Sequence, residues 1–130
     1  MPIAEHIALL DLAYRCFDEQ RIDDALALMA EDVEWPAVAN GTVLPGREAV
    51  RRYWEAQLAV ARPNVVPTQY LDAGNDVVAV VDQRVDGLDG ITLVPTHVVH
   101  HRYTFRDSLV RRMVVFDTEA EALDPGGPHR

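Results

Sequence analysis

Three of the chain's histidines fall within five residues of a segment rich in β-forming residues. Imidazole is the side chain best suited to proton transfer near neutral pH. Because alternate side chains of a strand share a face, His97 and His101 point one way and His100 points the other. This spacing does not gather three metal ligands on a strand, and the single cysteine of the chain offers no thiolate site. We therefore expect neither a metal nor any other cofactor.

Two further groups are suited to acid–base chemistry. Asp117 lies at the end of the last predicted strand, and Tyr14 lies in the first predicted helix. If Asp117 is buried, desolvation raises its pKa and lets it exchange a proton near neutrality. Tyr14 would then supply a hydrogen bond to a developing oxyanion. In the alternative interpretation, Asp117 caps the strand end or binds a backbone amide, and His101 is a core histidine with satisfied hydrogen bonds.

Three other residues have simpler interpretations. Asp82 and Arg84 share a face of one predicted strand, which favours an ion pair at the surface or at an interface over a catalytic role. Cys16 lies on the apolar stripe of the first helix, where it is expected to pack rather than to react.

The first half of the chain predicts helices and the second half predicts strands. Apolar residues recur at helical spacing over residues 3–17, 22–30 and 47–61, with a short extended segment at 33–36. β-Branched residues and turn signals predict strands over 65–71, 77–85, 92–105 and 109–118. Pro67 places the first of these four strands at a sheet edge. This order predicts an α+β fold with the helices on one face of a curved sheet.

Length and charge limit the classes of function. The 130 residues predict one domain over residues 1–122 and a frayed tail over 123–130. The net charge of -9 disfavours nucleic acid and anionic membranes as partners. No apolar run approaches the roughly 20 residues that a membrane-spanning helix needs. With one cysteine and no secretory leader pattern, a cytoplasmic protein is expected.

Four local phrases, in this order and spacing, resemble the SnoaL-like branch of the nuclear transport factor 2-like superfamily. They are RIDDALALMAEDVEW at 21–35, LPGREAVRRYW at 44–54, YTFRD at 103–107 and VFDT at 115–118. The resemblance implies a cone of three N-terminal helices packed on a curved antiparallel or mixed sheet that encloses a pocket. It also implies a homodimer formed through the outer face of the sheet. Because this fold hosts isomerases, cyclases, epoxide hydrolases and non-catalytic binding proteins, it implies no single activity.

The resemblance can be carried to individual positions. The place of the aspartate base of ketosteroid isomerases falls on Trp35 or Ala37, and neither can take a proton. The places of that enzyme's tyrosine and protonated acid fall next to Tyr14 and on His101. Asp117 matches the aspartate that SnoaL-type polyketide cyclases use as acid–base catalyst.

The resemblance implies that the sheet face carrying His101 lines a pocket for a small hydrophobic ligand. We expect Asp117 and His101 to exchange protons there with the help of Tyr14. The expected ligand-binding residues are Trp35, Trp54, Leu58, Val81, Gln83, His97, Val99, Tyr103, Met113 and Val115. Two hypotheses follow: an enzyme of isomerase, cyclase or hydrolase type that acts on a carbonyl-bearing molecule, or a non-catalytic binding or dimerisation module.

Overall fold

The computed structural model describes residues 3–37 and 41–124. In chain order it contains α1 (Ile3–Asp18), α2 (Ile22–Leu26), β1 (Met29–Ala37), β2 (Thr42–Pro45), α3 (Arg47–Leu58), β3 (Ala61–Ala73), β4 (Asp76–Gly87), β5 (Thr92–Arg106), β6 (Leu109–Phe116) and α4 (Glu119–Leu123). The predicted α+β class, with three N-terminal helices on a curved mixed sheet, is confirmed.

The six strands form one sheet in the order β2-β1-β6-β5-β4-β3. All neighbouring pairs are antiparallel except β1 and β6, which run parallel. The predicted edge position of the strand that contains Pro67 is confirmed, because β3 pairs only with β4 and its register shifts just after Pro67. The long strands β4 and β5 lie in the interior of the sheet, where both neighbours hold them in place.

Helices α1, α2 and α3 contribute the apolar side chains that meet the inner face of the sheet. Leu10 of α1 and Val50 of α3 are fully buried in this core, together with Val77 and Val81 of β4. Cys16 is a free cysteine, buried in the same cluster as expected. The amphipathic stripes therefore place α1 and α3 over the strands that carry the candidate polar groups.

Several predicted boundaries differ from the structure. Helix α2 ends at Leu26 rather than at residue 30, because Met29 already pairs with Val110 of β6 and the chain has become a strand. Strand β2 was not predicted, and its residues pair with the end of β1. Gly46, with φ 89°, then turns the chain into α3. Of the predicted tail, residues 125–130 lie outside the described residues.

The outer face of the sheet carries a second, smaller apolar cluster under α4, a helix that was not predicted. Val78, Phe116 and Ala122 form its buried centre. Arg102 fastens the helix: its Nε donates to Asp76 Oδ2 and its Nη1 to the carbonyl oxygen of Ala122, each at 2.8 Å. Within residues 3–37 and 41–124, no helix combines the length and the apolar character that crossing a membrane requires.

Candidate functional site

A cavity of about 290 Å³ lies between the helices and the inner face of the sheet. Tryptophans form one wall: the rings of Trp35 and Trp54 meet edge to face with centroids 5.5 Å apart. Phe17 packs against Trp54 in a similar way at 5.0 Å. The remaining wall is largely apolar, so the few polar side chains that reach the cavity stand out chemically.

Three of these polar side chains form one buried hydrogen-bond chain. The hydroxyl of Tyr103 donates to the hydroxyl of Tyr14 at 2.7 Å. The hydroxyl of Tyr14 in turn lies 2.8 Å from Nδ1 of His101. Because Tyr14 comes from α1 and the other two from β5, the chain of bonds ties the first helix to the sheet directly beside the cavity.

Burial keeps all three groups uncharged. Desolvation, with a smaller contribution from the neighbouring His100, lowers the pKa of His101 to about 4. Desolvation likewise raises the pKa of Tyr14 well above its ordinary value, and it raises the pKa of Tyr103. The expectation that His101 titrates near neutral pH is therefore wrong: near pH 7 the imidazole is neutral.

Asp117 lines the same cavity but, unlike His101 and Tyr103, is exposed. Strand β6 ends at Phe116, and Asp117 directly follows it with an exposed side chain. The burial on which its acid–base role depended is thus not observed. Among the described residues that line the cavity, Asp117 is the one carboxylate.

Most residues predicted to contact a ligand do reach the cavity wall. They are Trp35, Trp54, Gln83, His97, Val99, Tyr103, Met113 and Val115. Leu58 and Val81 are not among the lining residues. Val81 is fully buried in the core cluster, and Leu58 is the last residue of α3, where the helix leaves the cavity.

The structure adds lining residues that sequence reasoning missed. Tyr53 and Gln57 of α3 both face the cavity, as does Phe17 of α1. Helical spacing contained this signal, because Gln57 lies one turn after Tyr53 and Phe17 lies one turn after Tyr14. The hydrogen bond from Tyr103 to Tyr14 carried no such signal, because it joins residues 89 positions apart.

The remaining polar candidates lie elsewhere. His100 is buried on the outer face, and its Nδ1 has no hydrogen-bond partner within the described ranges. Those same ranges contain no group of three or more His, Cys, Asp or Glu side chains arranged to hold a metal ion. Arg84 pairs with Asp86, Nε to Oδ1 at 3.1 Å, rather than with Asp82 as the shared face suggested.

Solved structures with this arrangement of elements share 18–23% of their residues with the chain. TerC, co-crystallised with polyporic acid, is 23% identical with a TM-score of 0.76, and the match covers 89% of this chain and 93% of TerC. An NTF2-like protein of unknown function from Burkholderia pseudomallei is 18% identical with a TM-score of 0.75, over 90% and 93% of the two chains. The Δ5-3-ketosteroid isomerase of a Mycobacterium species is 18% identical with a TM-score of 0.73, over 88% and 93%. At such identities the likeness shows the fold alone.

No curated protein matches the chain in sequence. Residues 11–113, however, match the family described as SnoaL-like domain. This range contains α1 from Asp11 onward and continues through all the elements as far as Met113 of β6. It includes Tyr14, His101 and Tyr103. The chain belongs to the SnoaL-like domain family.

Proposed function

We propose that the chain is a cofactor-independent enzyme of isomerase, cyclase or hydrolase type that acts on a small hydrophobic carbonyl compound. The observation that carries this proposal is the neutral hydrogen-bond chain of Tyr103, Tyr14 and His101 beside an apolar cavity. A dry cavity strengthens hydrogen bonds to an oxygen that gains negative charge during a reaction. Similarity to a polyporic-acid-binding protein and to a ketosteroid isomerase supports small-molecule chemistry.

In this proposal Tyr14 binds the carbonyl oxygen and Asp117 moves the proton. Tyr14 is held in place by Tyr103, so its oxygen is positioned before any ligand arrives. Asp117 is exposed and lines the cavity, where its carboxylate is the base of the proposed reaction. His101 is bonded to Tyr14, and any proton that it exchanges with the ligand is the single N–H proton of its neutral imidazole.

The alternative is a binding protein that holds such a ligand without converting it. Two observations favour this second function. Asp117 is exposed rather than buried, and the place of the ketosteroid isomerase base falls on Trp35 or Ala37, neither of which can take a proton. A cavity of about 290 Å³ with aromatic walls serves binding equally well.

The deciding experiment begins with ligand binding. Steroids, terpenoids, aromatic polyketide fragments and fatty acids are screened for an increase in melting temperature. A ligand present at a hundredfold excess over its Kd raises the free energy of unfolding by about 2.7 kcal/mol. Ligands that bind are then incubated with the protein, and their conversion is followed by chromatography.

The expected result is turnover of at least one carbonyl-bearing ligand, reduced by about a hundredfold or more in an Asp117→Asn variant. Asp107→Asn is the matched control, since Asp107 is an exposed aspartate in the turn between β5 and β6, away from the cavity. Equal turnover in both variants would remove Asp117 from the mechanism. Binding with no conversion in the unchanged protein would favour the binding function.

The proposal extends to assembly and location. A homodimer through the outer face of the sheet would cover Val66 and Val98, which lie in one row across β3, β4 and β5 and are 55% and 51% exposed. A cytoplasmic location is consistent with a chain whose one cysteine is buried and free.

A further inference from the structure

The hydrogen bond between Tyr14 and His101 can run in either direction. In the first arrangement Tyr14 donates to Nδ1 and the imidazole proton sits on Nε2. In the second, Nδ1–H donates to the Tyr14 oxygen, and the phenol proton turns elsewhere. Tyr103 donates to Tyr14 in both arrangements, so it holds Tyr14 in place without choosing the direction.

The two arrangements present different groups to the cavity. Both residues line it, and the hydrogen bond found for the His101 ring within residues 3–37 and 41–124 is the one between Nδ1 and Tyr14. The first arrangement offers a ligand the Nε2–H donor and a lone pair of Tyr14. The second offers the Tyr14 hydroxyl as donor and the lone pair of Nε2 as acceptor.

Without a ligand, the first arrangement is the stronger of the two. A phenol O–H is a better hydrogen-bond donor than a neutral imidazole N–H, and an imidazole nitrogen is a better acceptor than a phenol oxygen. Protonation does not intervene, because no carboxylate contacts His101 and burial lowers the pKa of its imidazole to about 4. The position of the single imidazole proton is therefore what can change.

We propose that His101 is a positioning residue that acts through Tyr14: a bound carbonyl oxygen turns the Tyr14 hydroxyl toward the ligand, and the imidazole proton moves from Nε2 to Nδ1. This inference rests on the proposed function, because it concerns the same cavity and the same carbonyl ligand. It also names a substrate class. With Nε2 left as an acceptor on a ring that lines the cavity, the favoured ligand carries a hydroxyl group in addition to its carbonyl group.

The exchange balances without any net gain of charge. Tyr14 gives its proton to Nδ1, Nε2 gives its proton to a water molecule in the cavity, and that water molecule gives one of its protons to the Tyr14 oxygen. One N–H bond and two O–H bonds break, and one N–H bond and two O–H bonds form. Neither an oxidant nor a metal ion takes part in this step.

The direct test is the protonation state of each imidazole nitrogen, measured by long-range ¹H–¹⁵N NMR of the ¹⁵N-labelled protein. The probes are 1-tetralone, which has only a carbonyl group, 6-hydroxy-1-tetralone, which has both groups, and 5,6,7,8-tetrahydro-2-naphthol, which has only a hydroxyl group. We expect the Nε2–H form of His101 in the free protein and the Nδ1–H form when 6-hydroxy-1-tetralone saturates the site. His101 signals are assigned with a His100→Gln variant, which removes the neighbouring histidine on the opposite face.

Affinities provide the second readout, measured through quenching of Trp35 and Trp54 fluorescence. The hydroxy ketone should bind at least about tenfold more tightly than 1-tetralone, which corresponds to one satisfied hydrogen bond. In a His101→Phe variant this advantage should disappear, because the variant has no Nε2 to accept a hydrogen bond from the hydroxyl group of the ligand. The His100→Gln variant should keep the advantage.

The outcomes separate this inference from the proposed function. If the probes bind but His101 stays in the Nε2–H form, or the hydroxyl group adds no affinity, the inference is wrong and the carbonyl-binding cavity stands. An Nδ1–H form or a charged imidazolium in the free protein also overturns the inference. If none of the three probes binds, carbonyl binding in this cavity fails, and the inference fails with it.

Discussion

The imidazole of His101 is neutral because its surroundings offer nothing that stabilises a positive charge. It is 6% exposed, its Nδ1 faces a phenol rather than a carboxylate, and its sequence neighbour on the other face is a second histidine. In many catalytic histidines, by contrast, a carboxylate holds the ring and supports its charged form. His101 is thus suited to directing a hydrogen bond and poorly suited to storing a proton.

This neutrality has a consequence for stability at acid pH. The unfolded chain binds a proton to this histidine below its ordinary pKa of 6.5, whereas the folded chain does so only near 4. The buried neutral imidazole therefore makes its full contribution to the free energy of unfolding above pH 6.5, and this contribution is lost as the pH falls toward 4. Between pH 7 and pH 5 the loss amounts to about 2 kcal/mol.

Urea unfolding at both pH values measures this contribution. A His101→Gln variant should lose about 2 kcal/mol less than the unchanged protein on going from pH 7 to pH 5, since it has no imidazole to protonate. His97→Gln, which replaces an exposed histidine of the same strand, controls for the loss of a histidine as such. Parallel pH dependence in the His101 variant and the unchanged protein would contradict the burial effect.

Sequence reasoning reached some of these residues and missed others for identifiable reasons. Strand alternation was enough to place Val99, His101 and Tyr103 on one face, because the period of a strand is fixed. The family resemblance then directed that face toward the cavity. The bonds that Tyr14 makes depend on how α1 is placed across the sheet, which no local pattern contains. The role of Asp117 was conditional on its burial, and burial depends on where β6 ends, because strand ends are set by pairing with neighbours rather than by composition.

At the level of elements, α4 shows how contacts with the rest of the chain hold a short helix in place. The helix has five residues, too few to be stable alone. Its N-cap Thr118 accepts a hydrogen bond from the backbone N–H of Glu121, and Ala122 packs onto Val78 and Phe116. Arg102 adds the bond to the Ala122 carbonyl oxygen and joins it to Asp76.

Replacing Arg102 should therefore weaken this corner of the protein. An Arg102→Met variant keeps most of the apolar stem but leaves Asp76 and the Ala122 carbonyl without their donor. We expect the free energy of unfolding to fall by about 2 kcal/mol, measured by urea denaturation. Arg21→Met should change it little, because the pairs of Arg21 with Glu19 and Asp24 are in solvent. Equal effects of the two substitutions would show that the Arg102 contacts are not stabilising.

The elements themselves were largely predictable. Long, strongly patterned segments such as α1 and β4 were placed within a few residues of their observed bounds, because each contains several repeats of its own period. β2 and α4 were missed because each has at most five residues. Such short elements form only because β2 pairs with a neighbouring strand and α4 packs on an apolar face.

At the scale of the whole molecule, the proposed homodimer makes a simple prediction about mass. A chain of 14.5 kDa should sediment at twice that mass at micromolar concentration. Val98→Glu should convert it to the monomer, because a second carboxylate placed opposite Asp82 in the covered row would be desolvated without a partner. Val60→Glu is the control, since Val60 is also exposed but follows α3 rather than lying on the sheet. A monomer for the unchanged protein would contradict the dimer.

The two edges of the open sheet determine how copies of this chain can and cannot associate. One edge, β2, has four residues and ends at Pro45, while the other, β3, contains Pro63 and Pro67, which have no N–H group to donate. Neither edge is a good template for a strand from another molecule. Face-to-face association joins two copies and then stops, whereas edge pairing would add copies without limit. The prolines therefore protect the chain against fibre growth, including while the cavity is empty and the fold is least stable.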